Sequence, residues 1–213
     1  MNNSGNEYRQ ICCIDFETAN EARASACSIG MALIRNGRVV HTEEQYLRPP
    51  EPYGMFRPMN ISIHGIHPEQ VKDSPEFFQF FPKFQEYLSS SDLVVAHNAS
   101  FDISVLRALC GFYNIPVPEI HFLCTYRASQ KVWPELDNHK LNTVCNYIDY
   151  QFRHHNAESD AEAAGVVLLK MMRDLATDSP FEFVSQIGLN LGVLSCNAYS
   201  PCGCRKKHGT KRN

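Results

Sequence analysis

The chain has 213 residues, 44% hydrophobic and 20% charged, with 13 Phe and 9 Tyr; this excludes low-complexity disorder and suits one domain with a sizeable core. No run of about 18 apolar residues is long enough to span a membrane, and Met1 to Gln10 lacks the apolar core of a secretory signal, so a soluble cytoplasmic protein is expected. Formal net charge is -3, yet Arg205 to Asn213 holds five basic residues and no acid, leaving 15 basic against 23 acidic residues before it.

An acidic body of this kind repels nucleic acid unless something neutralises part of it. The nine cysteines are an odd number for a disulfide framework. Without a secretion signal they read as reduced thiols, six of them scattered mostly through apolar stretches.

Taken in chain order, Ile11 to Phe16 is an apolar, β-rich run that reads as a buried strand. Cys27 to Arg35 and Val39 to Leu47 flank Asn36-Gly37, a strong hairpin signal, and Pro49, Pro50 and Pro52 stop the second strand. Ser74-Pro75-Glu76 predicts a helix start, with Phe77, Phe78, Phe81, Phe84, Tyr87 and Leu88 as its core stripe. Leu93 to Ala96 is a short buried strand, Ser100 to Tyr113 a helix, and Ile120 to Cys124 a further strand. Helices are expected near Thr125 to Val132, Lys140 to Tyr147, Ser159 to Leu175 and Pro180 to Ile187. A strand and hairpin followed by alternating strands and helices predicts an α/β domain with a mixed sheet covered by helices.

Three acidic clusters lie within this frame. In Asp15-Phe16-Glu17 the two carboxylates share one face of a strand, where a hard divalent cation would offset their repulsion. Alone, the pair also describes an exposed acidic strand end. His97-Asn98-Ala99-Ser100-Phe101-Asp102 carries a strand into a helix, the edge at which α/β sheets bind ligands; Asp102 there also suits the helix dipole. His155-Asn156-Ala157-Glu158-Ser159-Asp160 opens a late helix. A five-residue separation is about 140° around a helix, so His155 and Asp160 reach one site only if His155 lies at or before its start.

As an ordered set these clusters resemble the DEDDh 3′–5′ exonuclease family, which includes the DNA polymerase III epsilon proofreading subunit and RNase T. Cys13 to Thr18, Val94 to Asp102 and His155 to Ala161 are similar to its three motifs. Asn60 to Ile66 with Ser74-Pro75, and Asn138 to Leu141, add lesser matches. The resemblance spans residues 10–175. It implies a ribonuclease H-like fold, read here as a five-stranded mixed sheet with strands 1–3 antiparallel and the rest parallel.

By the same resemblance, Asp15, Glu17, Asp102 and Asp160 hold two Mg²⁺ or Mn²⁺ ions and His155 is the general base for hydrolysis at a nucleic-acid 3′ end. Only the spacing to Asp160 favours His155 over His154. Phe16 and Thr18 are placed near the terminal nucleotide, and His64, His97 and Asn98 on loops approaching it. Phe101 is placed either to stack on a base or to pack within its helix. The implied partners are single-stranded or frayed 3′ ends, DNA favoured, and a DNA polymerase acting in trans. RNA trimming and a catalytically silent nucleic-acid-binding subunit are the alternatives. Dimerisation is left open.

The last segment has no counterpart in the family. Residues 1–9 read as a flexible N-terminus, 10–190 as the exonuclease domain and 191–213 as a Cys-rich basic tail. Cys196, Cys202, Cys204 and His208 offer four ligands for a structural Zn²⁺, although their spacing departs from the usual pair, and free thiols are the alternative. The tail's basic residues are either solvated or in contact with substrate phosphates.

Overall fold

The computed structural model describes residue 8 and residues 10–204. Strand β1 (Ile11–Thr18) is buried along almost its whole length, and β2 (Ala26–Arg35) runs antiparallel to it. Asn36 and Gly37 both adopt left-handed φ, 50° and 69°, which closes the tight hairpin to β3 (Arg38–Tyr46). Two short helices follow, α1 (Pro58–His64) and α2 (Pro68–Val71), each opened by a proline. Then come α3 (Phe77–Ser89), β4 (Leu93–Ala96), α4 (Ser100–Tyr113), β5 (Ile120–Cys124), α5 (Thr125–Val132) and α6 (Leu141–Tyr147). The long α7 (Ala157–Asp174) and α8 (Pro180–Gln186) precede four short strands, β6 (Leu189–Asn190), β7 (Gly192–Leu194), β8 (Tyr199–Ser200) and β9 (Gly203–Cys204).

Seven of these strands form one sheet in the order β3-β2-β1-β4-β5-β7-β8, with β6 and β9 paired separately. The expected mixed α/β sheet is therefore present, but it is wider than five strands. β7 pairs antiparallel with β5 and β8 pairs with β7. A division at residue 191 thus cuts through the sheet, because strands of two or three residues carry too little pattern to be read from sequence.

Helix α3 begins at Phe77, with Glu76 as its N-cap, later than Ser74 predicts. The Gln79 side chain accepts the Glu76 N–H at 2.8 Å, completing a reciprocal capping box. That start sets the buried stripe as Phe77, Phe80, Phe81, Phe84 and Leu88, so Phe80 takes the core place expected of Phe78, which is 46% exposed. Phe77 and Phe84 enclose the ring of Phe16 at centroid distances of 6.3 and 6.2 Å.

Helix α7 covers the other face of β1 and β2, and two glycines allow it close. A Cβ on Gly165 would lie 3.0 Å from both Cys13 Sγ and Ile34 Cδ1. At Gly30 the constraint is absolute, since a Cβ would fall 1.9 Å from the Ala157 carbonyl oxygen. Gly30 pairs directly with Asp15 of β1, so the first turn of α7 is laid beside that aspartate. Gly30→Ala should lower stability by about 3 kcal/mol or more, because backbone rather than a mobile side chain must yield. Urea unfolding would read this as a fall in midpoint, and an unchanged midpoint would refute the close approach.

Candidate active site

The carboxyl end of β1 places Asp15 and Glu17 on one face while Phe16 between them is 2% exposed in the core. One carboxylate oxygen from each of Asp15, Glu17 and Asp160 lies within 4.8 Å of the other two. Asp102 joins from the first turn of α4, aimed there by a left-handed residue, Asn98 (φ 66°), that turns the chain out of β4. Its Oδ1 accepts the Phe16 N–H at 3.0 Å, while its Oδ2 is buried with no hydrogen-bond partner among the described residues.

Packed this closely, four carboxylates cannot all remain charged at low energetic cost. Burial, then Asp102 and Asp160, push Asp15 well above the usual carboxylate range. Burial, followed by Asp160 and then Asp102, raises Glu17 to about 8. Burial raises Asp102 to about 7 against the opposing pull of the Phe16 N–H, and burial also raises Asp160. An orphaned buried oxygen and a cluster of hard oxygen donors that resist ionisation together fit divalent cations.

His155 lies just before α7 in a left-handed conformation (φ 62°), as the five-residue spacing requires. Its backbone N–H donates to Asp160 Oδ2 at 2.9 Å. The imidazole that touches Asp160 belongs to His154, whose Nδ1 is 3.1 Å from Oδ1, and the two histidine rings stack at 3.8 Å. Burial and then His154 hold the His155 imidazole below its ordinary range.

The outer residues divide into structural and open ones. Nδ1 of His64 accepts the Ile66 N–H at 2.9 Å, so its Nε2 carries the proton and donates to the Thr18 carbonyl at 3.2 Å. Asn60 donates to the same carbonyl at 2.8 Å, and together they pin α1 over the end of β1. Nε2 of His97 donates to the His139 carbonyl at 2.8 Å while its Nδ1 meets the Thr125 hydroxyl at 2.9 Å, and burial pushes its pKa down to about 4. Both rings are therefore engaged by the protein. Thr18 and the ring of Phe16 are buried, whereas Asn98 is exposed and Phe101 is half-buried with the Arg23 guanidinium 4.4 Å from its ring centroid.

A family profile described as "Exonuclease" (RNase T) matches residues 12–168. The chain belongs to the RNase T exonuclease family. It is 31% identical to the DNA polymerase III PolC-type of Bacillus cereus over 183 residues, 84% of this chain and 12% of that protein. It is 29% identical to the Bacillus subtilis PolC-type over 189 residues, 87% of this chain and 13% of that protein. The chain thus spans about an eighth of the length of these curated relatives.

Among solved structures, exonuclease X in complex with 5′-overhanging duplex DNA has a TM-score of 0.67 at 22% identity, covering 84% of this chain and 99% of that one. The nuclease domain of 3′hExo, a DEDDh member bound to rAMP, has a TM-score of 0.68 at 19% identity, covering 78% and 93%. These likenesses establish the ribonuclease H-like fold. The chain is accordingly an exonuclease-family domain on that fold.

Several residues that shape this exonuclease site were not singled out by its sequence. Arg23, in the turn after β1, opposes the raised pKa of Asp102 through its charge; a lone Arg in a turn carries no motif. Asn156 caps α7 by accepting the Ser159 N–H at 3.1 Å, which starts the helix two residues before the expected Ser159. His139, matched only as part of a minor motif, anchors His97.

The candidate zinc cluster is not assembled among the described residues. Cys202 is buried while Cys196 and Cys204 are exposed, and no group of three close metal-ligand atoms there includes any of them. His208 and the basic tail lie outside the described residues.

Raised carboxylate pKa values make the folded, metal-free protein bind more protons than the unfolded chain between about pH 4 and 8, so this contribution to stability falls as pH rises through that window. The depressed imidazoles of His64 and His97 act oppositely, which makes a variant the proper comparison. In chelator, Asp15→Asn should raise Tm at pH 8 by about 3–6 °C, with a smaller gain at pH 5. Calorimetric scans at both pH values check this, and an equal gain at each would contradict the electrostatic account.

Proposed function

We propose that the chain hydrolyses the terminal phosphodiester at the 3′ end of single-stranded or frayed nucleic acid, DNA favoured, releasing nucleoside 5′-monophosphates. The observation that carries this reading is the orphaned, buried Oδ2 of Asp102, whose charge acts on Asp15 and Glu17 beside the close oxygen cluster of Asp15, Glu17 and Asp160. Those four residues would hold two Mg²⁺ or Mn²⁺ ions. When bound, such a pair supplies Lewis-acid stabilisation of the attacking and leaving oxygens.

His155 takes the proton from the attacking water. Its depressed pKa keeps the ring neutral near physiological pH, the form a general base needs. Asp160 orients this base through the His155 N–H rather than through its ring. Arg23, whose charge acts on Asp102, supplies positive charge for a substrate phosphate beside the acids. Phe101, with Arg23 over its ring, offers an edge against which the terminal base rests. Asn98, exposed where β4 turns into α4, offers a polar group to that nucleotide, while His64 holds the end of β1 at the Thr18 carbonyl and His97 anchors the turn that carries Asn98.

The PolC-type relatives, of which this chain spans about an eighth, support action in association with a DNA polymerase. RNA is the second reading, favoured by likeness at a TM-score of 0.66 to a 3′-exonuclease recognising histone mRNA stem-loop. A silent binding subunit fits less well, because binding alone gives no reason to keep four mutually repelling carboxylates beside a histidine.

Matched 5′-labelled DNA and RNA single strands test the proposal directly. With Mg²⁺ or Mn²⁺ the label should remain on a ladder shortening from the 3′ end, faster for DNA. Chelator or Asp15→Asn should lower the rate by at least about 10³-fold. The rate should rise from acid pH and level off by neutrality as His155 deprotonates. Undiminished hydrolysis by Asp15→Asn would refute the assignment.

A further inference from the structure

Glu44 of β3 sits outside the catalytic set yet stands in the same cross-strand row. Asp15 pairs with Gly30, and Gly30 pairs with Glu44, so the three positions face one side of the sheet in line. Because the middle residue has no side chain, a lane is open between the two acids. The start of α7 occupies it, with Ala157 over Gly30. Glu44 closes the far side of that lane. One of its oxygens, Oε1, accepts the Ser28 hydroxyl at 2.7 Å and the other accepts the Asn156 side-chain amide at 2.9 Å. Two residues earlier on the same face of β3, the Thr42 hydroxyl donates to Glu158 at 2.5 Å.

Both carboxylate oxygens of Glu44 are therefore committed to neutral donors, and it does not belong to the close oxygen cluster of Asp15, Glu17 and Asp160. What it holds is Asn156, which follows the left-handed His155 immediately and caps α7 with its other side-chain atom. Asn156 is thus clamped from two directions, by the Ser159 N–H on its oxygen and by Glu44 on its nitrogen. A residue at positive φ that is not glycine costs energy and persists only where its neighbours fix it.

We propose that Glu44 is a positioning residue: by gripping Asn156 it locks the His155 turn and so aims the imidazole at the site. This rests on the reading of His155 as general base, but its structural part does not.

Asn156→Asp gives the cleanest disruption. The new carboxylate still accepts the Ser159 N–H and remains a good N-cap, but it loses the amide donor and confronts Glu44 with like charge. Adding Glu44→Gln then restores the contact in reverse, since the amide introduced on β3 donates to the new carboxylate while its oxygen still accepts from Ser28. The swapped pair also keeps the total charge of the native protein.

Two readouts are taken for native protein, N156D and N156D/E44Q. The first is amide hydrogen exchange over residues 153–160 in chelator without substrate. The second is steady-state hydrolysis with Mg²⁺. N156D should exchange about tenfold faster in this segment and lose at least about tenfold in kcat with KM within about twofold, as misaimed chemistry rather than lost binding predicts. N156D/E44Q should return both to within about threefold of native.

Native-like exchange and kcat in N156D, or failure of the swap to recover either, overturns the proposal. If the native protein itself shows no exonuclease activity, the base reading falls, while the exchange measurements still decide whether Glu44 holds the turn.

Discussion

The site depends on one close approach, that of the first turn of α7 to the β1–β2 pair over Gly30. With a Cβ there the helix could not start where it does. The third acidic cluster reaches this end of the sheet through that contact. It brings Asp160, which lies 145 residues after Asp15 in the sequence, to the side of Asp15 and Glu17, and it sets the turn holding His154 and His155 at the edge of the carboxylates. The opposite face of β1 is held by the enclosed ring of Phe16, and the Phe16 N–H ties the strand to Asp102. Strand β1 is thus held rigid from both sides where its two acidic side chains emerge.

That arrangement stores electrostatic repulsion. Asp15, Glu17, Asp102 and Asp160 are all raised, and burial is the first cause for each. A fold retains such a group of acids at the expense of its own stability in the absence of cations, which is the pattern expected where stability has been traded for function. It also gives the overall charge a meaning. Net charge near zero conceals an acidic body and a basic C-terminal segment, and the acids concentrated at the site repel a polyanion until cations neutralise them.

Much of this was legible in the sequence, for identifiable reasons. The hairpin at Asn36-Gly37, the buried β4 and the alternation of strands with helices follow from turn chemistry and apolar patterning. The four acids and His155 stand in local motifs, and the structure places a carboxylate oxygen of Asp15, Glu17 and Asp160 within 4.8 Å of one another. What escaped was short or non-local. Helix α1 buries none of its residues, and β6 to β9 are two or three residues long, so neither leaves a periodic signal. The choice of Phe80 over Phe78 for the core turned on where a capping box began the helix. Glu44 and Asn156 meet across 112 residues of sequence, and no local pattern in either stretch announces the pair. The stacking of His154 on His155 and the contact of His154 with Asp160 were equally invisible, since two adjacent histidines look interchangeable in sequence.

The central claim is that this carboxylate cluster is a divalent-cation site completed by the unpartnered oxygen of Asp102. Anomalous diffraction from crystals soaked in Mn²⁺ tests it most directly. The account predicts anomalous peaks bounded by Asp15, Glu17, Asp102 and Asp160, with Asp102 Oδ2 among the contacting atoms. Peaks confined to other parts of the molecule, with that oxygen still unpartnered, would contradict it.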